Sequence, residues 1–390
     1  MLAAAYAPSY PVGEIVLRKI AGIELTSRAL NKTTVRIGTE MVQQRDAQVE
    51  AYFSRPLMRR CTKPNTPIEL ACVSNDGGRM QTRDEGAGLG VHNPHWRETK
   101  NALFSRMKSR SFTHDPHPEL PACFATREGV KGLLSGVAQS DTPSDSNKTS
   151  KAVKKLFPDD WRPERLFRTC LSSLVDSDTF GRMMEFEADS RGFYEAKKKA
   201  YVSDGLPYNW TIQQRHFRDF TPILDFVHAV ERLYEAARSI DNDPDRRWEH
   251  YLRWARACWA GKVAEVIKEL NTYQQSLGLP PEDADKEDPR RLLADAIGYL
   301  RNNASRMNYA EYRRQGLPIT SSHMESLVKE INIRVKGTEK FFNDGAGAEA
   351  ILQIRAAALC DDDRLKRFLA NRPGHPFHPN VPHPSLATAN

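Results

Sequence analysis

Cys72-Val73-Ser74-Asn75-Asp76-Gly77-Gly78-Arg79 is an apolar stretch of strand type closing on an acid and glycine, and Tyr201-Val202-Ser203-Asp204-Gly205 repeats that grammar far downstream. A carboxylate at a strand's carboxyl end, followed by a glycine that lets a ligand or backbone come close, is well placed to hold a hard cation. A third acid, Glu325, stands in Ser321-Ser322-His323-Met324-Glu325-Ser326-Leu327-Val328-Lys329, near the start of an expected helix. Two aspartates and a glutamate from three separated segments are what two-metal phosphoryl-transfer chemistry requires. Blander readings stay open on pattern alone. Asp-Gly is the commonest turn dipeptide, so Asp76-Gly77-Gly78 also reads as a hairpin, and Glu325 also reads as a solvated or capping carboxylate.

The chain of 390 residues is long enough for two or three structural units, at about 100–200 residues each. No apolar run approaches the roughly 20 residues of a membrane-spanning helix, and Met1-Leu2-Ala3-Ala4-Ala5-Tyr6 has no basic segment before its short apolar stretch, so the expected location is cytoplasmic. The six cysteines are scattered, without a C-x-x-C pair or zinc-finger spacing, and read as reduced, mostly buried thiols. A formal charge of +7, from 57 Lys and Arg against 50 Asp and Glu, makes a polyanionic partner plausible.

Helical spacing marks residues 11 to 56, with an expected break at Asn31-Lys32-Thr33-Thr34. Beyond Pro64 and Pro67, three strands are expected at 68–73, 79–83 and 99–104, separated by glycine-rich turns. Residues 106–160 are rich in Pro, Ser, Asp, His and Lys and read as an excursion from the sheet. Helices are then expected at 163–171 and 178–190, a strand at 199–203, a helix around Trp210, and a strand at 222–226 running into a helix that ends at Arg238. Only helical patterns follow up to about 305, then the Glu325 helix, another at 346–358, and a Pro/His-rich tail expected to be disordered. The domain reading is a helical amino-terminal unit (1–60), the first part of an α/β core (61–238), a helical insertion (239–305), the end of the core (306–372) and the tail (373–390).

The assembled order of short motifs resembles a family. Asn75-Asp76-Gly77-Gly78-Arg79, then Gly90-Val91-His92 and Trp96-Arg97-Glu98-Thr99-Lys100, look like the opening catalytic block of bacterial insertion-sequence transposases of the ISKra group, relatives of the Mutator transposases. Arg191-Gly192-Phe193, Ser203-Asp204-Gly205 with Trp210, and Ile223-Leu224-Asp225-Phe226-Val227-His228-Ala229-Val230-Glu231 are similar to the second block. Arg306-Met307-Asn308-Tyr309, Gly316-Leu317-Pro318-Ile319, Glu325-Ser326, Arg334-Val335-Lys336-Gly337 and Ile354-Arg355 resemble the third. The resemblance spans about 12 to 378. It implies a ribonuclease-H-like mixed α/β core with a helical insertion, and a catalytic, metal-binding DDE triad of Asp76, Asp204 and Glu325.

That triad implies two Mg²⁺ ions roughly 3.5–4 Å apart, with Mn²⁺ as a substitute, cutting and joining DNA by hydrolysis and transesterification. Double-stranded DNA, as element ends and as target, is the implied partner, and a homodimer or higher oligomer on DNA the implied assembly. Asp225 and His228 match an Asp-x-x-His element of the relatives and form an auxiliary pair that orients a phosphate or ties the helix to the sheet; a packed helix histidine is the plain alternative for His228. Arg79, Arg83, Lys100, Arg191, Arg334 and Lys336 are the candidate DNA contacts, with solvated surface charge as their plain reading. Trp248, Trp254 and Trp259 read either as platforms for an unpaired base or as helix core. Relatives carry a longer amino-terminal recognition region and commonly show Gly-Ser-Gly where this chain has Thr320-Ser321-Ser322-His323. The rival reading is therefore a truncated, inactive transposase that only binds DNA.

Overall fold

The computed structural model describes residues 1–56, 62–83, 95–138, 161–337 and 340–372. Gly90-Val91-His92, the Gln139–Lys148 stretch and the tail from Pro373 lie outside the described residues. The fold is α/β, built on a mixed sheet. Strands β1 (Leu70–Thr82), β2 (Trp96–Lys108) and β3 (Glu164–Ser173) run antiparallel in sequence order, while β4 (Lys198–Ser203) and β5 (Thr221–Leu224) add parallel strands on the other side of β1. The order across the sheet is β3-β2-β1-β4-β5, and the short β6 (Phe341–Phe342) pairs with the far end of β1.

Three expectations are corrected. Asp76-Gly77-Gly78 does not turn the chain: β1 continues through it because β2 pairs without interruption from Leu70↔Met107 to Gln81↔Trp96. Residues 163–171 form no helix but the edge strand β3, where Thr169 and Leu171 face one side of the sheet and Cys170 the other. An irregular register at Arg106/Met107 goes with the imperfect alternation that hid this strand. The amino-terminal helices break at Gly22–Thr26, not at Asn31–Thr34: α2 (Tyr10–Ala21) stops at Gly22, φ 64°, and α3 (Ser27–Phe53) starts beyond the Thr26 hydroxyl, which accepts from the Ala29 N–H at 3.2 Å. Thr34 is held inside α3 by donating to the Leu30 carbonyl at 2.7 Å.

Helices cover both faces of the sheet. After α1 (Leu2–Tyr6), α2, α3, α4 (Ala122–Ala125) and α5 (Arg127–Ala138) come α6 (Ser177–Ser190) and α7 (Pro207–His216). Then follow α8 (Phe226–Ile240), α9 (Pro244–Trp259), α10 (Val263–Leu277), α11 (Pro289–Asn303), α12 (Tyr309–Gln315), α13 (Ser322–Val335), α14 (Gly345–Ala358) and α15 (Arg364–Ala370). One face of the sheet shares a single apolar core with α6 to α12: Val73, Phe104 and Val202 join Leu233, Tyr251, Trp254, Trp259 and Leu300. The helices from 244 to 303 are thus packed into the same core as the strands. On the opposite face, Met80, Leu103 and Cys170 meet Leu327 and Ile331 of α13 and Ile351 and Leu352 of α14. No helix among the described residues is long and apolar enough to cross a membrane.

Candidate active site

Sheet pairing creates the site. The parallel ladder between β1 and β4 ends at Asn75↔Ser203, so the next residue on each strand, Asp76 and Asp204, stands where β4 leaves the sheet. The alternation of β1 puts Asp76 on the side of Met80, which is the side covered by α13 and its first-turn Glu325. His228, in the first turn of α8, completes the group. Asp76 feels the charges of Asp204, His228 and Glu325; His228 feels those of Asp225, Asp204 and Asp76.

A buried polar relay holds Asp204. The Tyr201 hydroxyl donates to Asn75 Oδ1 at 2.8 Å, Asn75 donates to Asn209 Oδ1, and Asn209 donates to Asp204 Oδ1. Ser203 adds a hydroxyl bond to the Asn75 carbonyl at 2.9 Å. Asn75 and Asn209 are almost fully buried, so each carboxamide needs these bonds. Sequence reasoning assigned neither a role. The cue lay in Asn75 standing beside the acid inside an apolar strand.

Asp225 has a defined place too. It is fully buried, caps α8 by accepting from the Val227 N–H at 2.8 Å, and takes both the N–H (3.0 Å) and the hydroxyl of Ser321 on its other oxygen. Ser321 is the N-cap of α13, so Asp225 ties the start of the Glu325 helix to the start of the His228 helix. The tie read from sequence was one of helix to sheet; the contact here joins two helix starts.

Electrostatics set the character of the site. Burial first, then repulsion from Asp204, pushes Asp76 up to about 7. Burial and the Asp225 charge push Glu325 up to about 7. Asp204 is also raised, chiefly by burial. Burial opposes charge on His228, but Glu231 at 3.5 Å with Asp225, Asp204 and Asp76 outweighs it and holds the imidazole at about 10. At neutral pH an imidazolium therefore stands near two carboxyls, Asp76 and Glu325, poised near half-ionisation.

Three hard oxygen donors short of positive charge suit a divalent cation by chemistry. Their spacing is another matter: among the described residues no three His, Cys, Asp or Glu side chains are grouped tightly enough to hold a metal. The carboxylates would have to close on an ion.

The candidate DNA contacts divide. Arg79 is exposed, with its guanidinium 5.9 Å from the Trp96 ring centroid, and Arg83 is half-buried. Lys100 is buried opposite Gly77, paired with Glu98 at 3.1 Å and lying 5.9 Å from the Tyr208 ring centroid. Arg191 is taken up by Glu187 at 3.0 Å and Asp362 at 2.8 Å. Arg334 is 4% exposed, donates to the Ala4 carbonyl at 3.0 Å and lies 4.2 Å from the Tyr10 ring centroid; Lys336 is buried close by in the chain. Arg334 and Lys336 are thus not surface cations. Trp254 and Trp259 are core residues at 1% exposure, which leaves only the half-buried Trp248 of the proposed base platforms. Compared with known proteins, the chain matches no family model and no curated protein.

Proposed function

We propose that the chain is a DNA transposase of the DDE type, cutting and joining strands at the ends of an insertion sequence. The observation that carries this reading is that Asp76 and Asp204 follow the last pair of a parallel ladder and that Asp76 feels the charges of both Asp204 and Glu325, acids from three separated segments. The mixed sheet, with helices 244–303 between β5 and the Glu325 helix, supports the ribonuclease-H-like core that the motif order implies. When bound, two Mg²⁺ ions supply a Lewis acid for the attacking water or 3′-hydroxyl and stabilise the leaving oxygen. Asp76 and Asp204, at the ends of adjacent strands, and Glu325, on a helix, would supply the oxygens that hold the ions. The His228 imidazolium favours the ionised acids, and Asp225 fixes the helix that carries Glu325. Arg79, three residues past Asp76 on β1, and Lys100, opposite Gly77 on β2, are the proposed phosphate contacts.

One observation favours a second reading, a DNA-binding remnant without activity: the acids are not drawn together to ligating distance. A labelled duplex carrying the source element's end separates the two. The transposase reading expects Mg²⁺-dependent nicking by the native chain, lost in Asp204→Asn while binding persists. Binding without cleavage by the native chain establishes the remnant, and undiminished cleavage by Asp204→Asn overturns the triad.

A further inference from the structure

A cavity of about 1180 Å³ opens between α3, α6, the edge strand β3 and α15. It shares no residue with the acid site. Six arginines line it against three acids, Glu40, Glu187 and Asp362. Arg45 is taken up by Asp46 and Glu349, and Arg372 by Glu40 at 2.7 Å. That leaves Arg36, Arg191, Arg364 and Arg367 facing two carboxylates. Arg191 and Arg364 each reach both Glu187 and Asp362, while Arg367 makes a single long contact of 3.3 Å with Asp362. Arg36 has no hydrogen-bond or ionic partner among the described residues. Two positive charges are thus left without acids among the described residues, and guanidinium forks are matched to phosphate oxygens.

The rest of the wall is not that of a simple anion site. Met183 and Phe186 of α6 with Phe368 of α15 add apolar lining, and Gln44 and Gln48, one turn apart on α3, line the space with carboxamides without partners among the described residues. A carboxamide offers a donor and an acceptor together, the pattern that a base edge requires. An aromatic and thioether wall suits the face of a base. Ligand pockets of about 300–1,000 Å³ already enclose molecules larger than one nucleotide, so the space is ample.

We propose that this cavity binds a nucleotide unit, with its phosphate between Arg36 and Arg367 and its base between the Gln44/Gln48 edge and the Phe186/Phe368 wall. The source is either a free mononucleotide or one residue of a single DNA strand, and the shared chemistry is recognised in either case. This site stands apart from the acids, so it survives or fails independently of the cleavage reaction.

Calorimetric titration of the full chain with deoxyadenosine monophosphate, an eight-residue single-stranded oligodeoxynucleotide and inorganic phosphate tests it. Saturable binding of the mononucleotide or the oligonucleotide is expected, weakened about tenfold by Arg36→Ala or Arg367→Ala and unchanged by Asp204→Asn. Binding of the mononucleotide identifies a free ligand; binding of the oligonucleotide alone identifies a strand. Both arginines are exposed, so the variants keep the fold, and a circular dichroism melt checks this. Gln44→Leu is expected to weaken nucleotide binding severalfold while leaving phosphate binding alone. Binding of inorganic phosphate as tight as that of the nucleotide would overturn base recognition. No binding of either nucleotide, or oligonucleotide binding indifferent to both arginine variants, would overturn the site.

Discussion

A buried charge acts according to what surrounds it, as Arg334 and Asp76 show in opposite ways. Arg334 lies where surface readings of the motif put a DNA contact, yet its guanidinium caps the end of α1 through the Ala4 carbonyl, and Arg355 does the same for Ala5 at 2.8 Å. The last carbonyls of a short helix have no partners of their own, so both arginines serve folding. Arg334→Ala is expected to lower stability by about 1–3 kcal/mol, the range for losing a charged hydrogen bond and leaving a buried carbonyl unpaired. It should leave the salt dependence of the proposed DNA binding unchanged; a flatter salt slope without a lower melting temperature would make Arg334 a phosphate contact after all. Asp76 is the converse, a carboxyl whose folded-state pKa is raised to about 7. Such a group contributes stability below its ordinary value of 3.8, and that contribution is lost as pH rises through about 7. Asp76→Asn removes the titration. It should therefore melt a few degrees above the native chain at pH 8, on the order of 2 kcal/mol, with the gap closing near pH 4. A constant gap across that range would mean that Asp76 is not buried among like charges.

Gly205 joins two elements that are distant in sequence. It follows Asp204, and a Cβ there would overlap the ring of Tyr299 on α11. The Asp-Gly pair thus serves a close approach of the inserted helices to the site. Gly205→Ala is expected to cost about 1–3 kcal/mol by overpacking and to displace Asp204. In a Tyr299→Ala background the same substitution should cost less than about 0.5 kcal/mol, and equal costs in both backgrounds would show that the glycine acts through its backbone alone. At this level the sequence was partly readable. The helices from Ser177 to Asn303, those of Glu325 and of residues 346–358, and the strands β4 and β5 follow the expected periodicity, while α12 and α15 were not expected. β3 and the middle of β1 did not announce themselves. Glu164, Arg165 and Arg168 break the alternation of β3, and the glycines of β1 are carried by cross-strand pairing with β2 that only the folded sheet supplies.

The acids illustrate the same limit for the molecule as a whole. Local grammar and motif order single them out, but their partners were not legible. The Tyr201–Asn75–Asn209–Asp204 relay and the Asp225–Ser321 tie depend on which strand ends beside which helix. The assembled site carries an electrostatic deficit that one imidazolium meets only in part. A divalent cation that closes the carboxylates together is therefore expected to stabilise the whole fold, by about 1.4 kcal/mol at ten times its dissociation constant. Protons compete for the same oxygens, and both Asp76 and Glu325 titrate at about 7. The Mg²⁺-induced rise in melting temperature should accordingly be full at pH 8, fade as pH falls through 7 and be absent at pH 5. Glu325→Gln and Asp204→Asn should each remove most of it at pH 8, with Ca²⁺ serving as a second probe that binds oxygen donors without demanding octahedral geometry. A rise of equal size in the native chain and both variants would place the cation elsewhere on the surface. No rise at pH 8 would mean that the acids stay apart, and the proposed metal-dependent cleavage would fall with it.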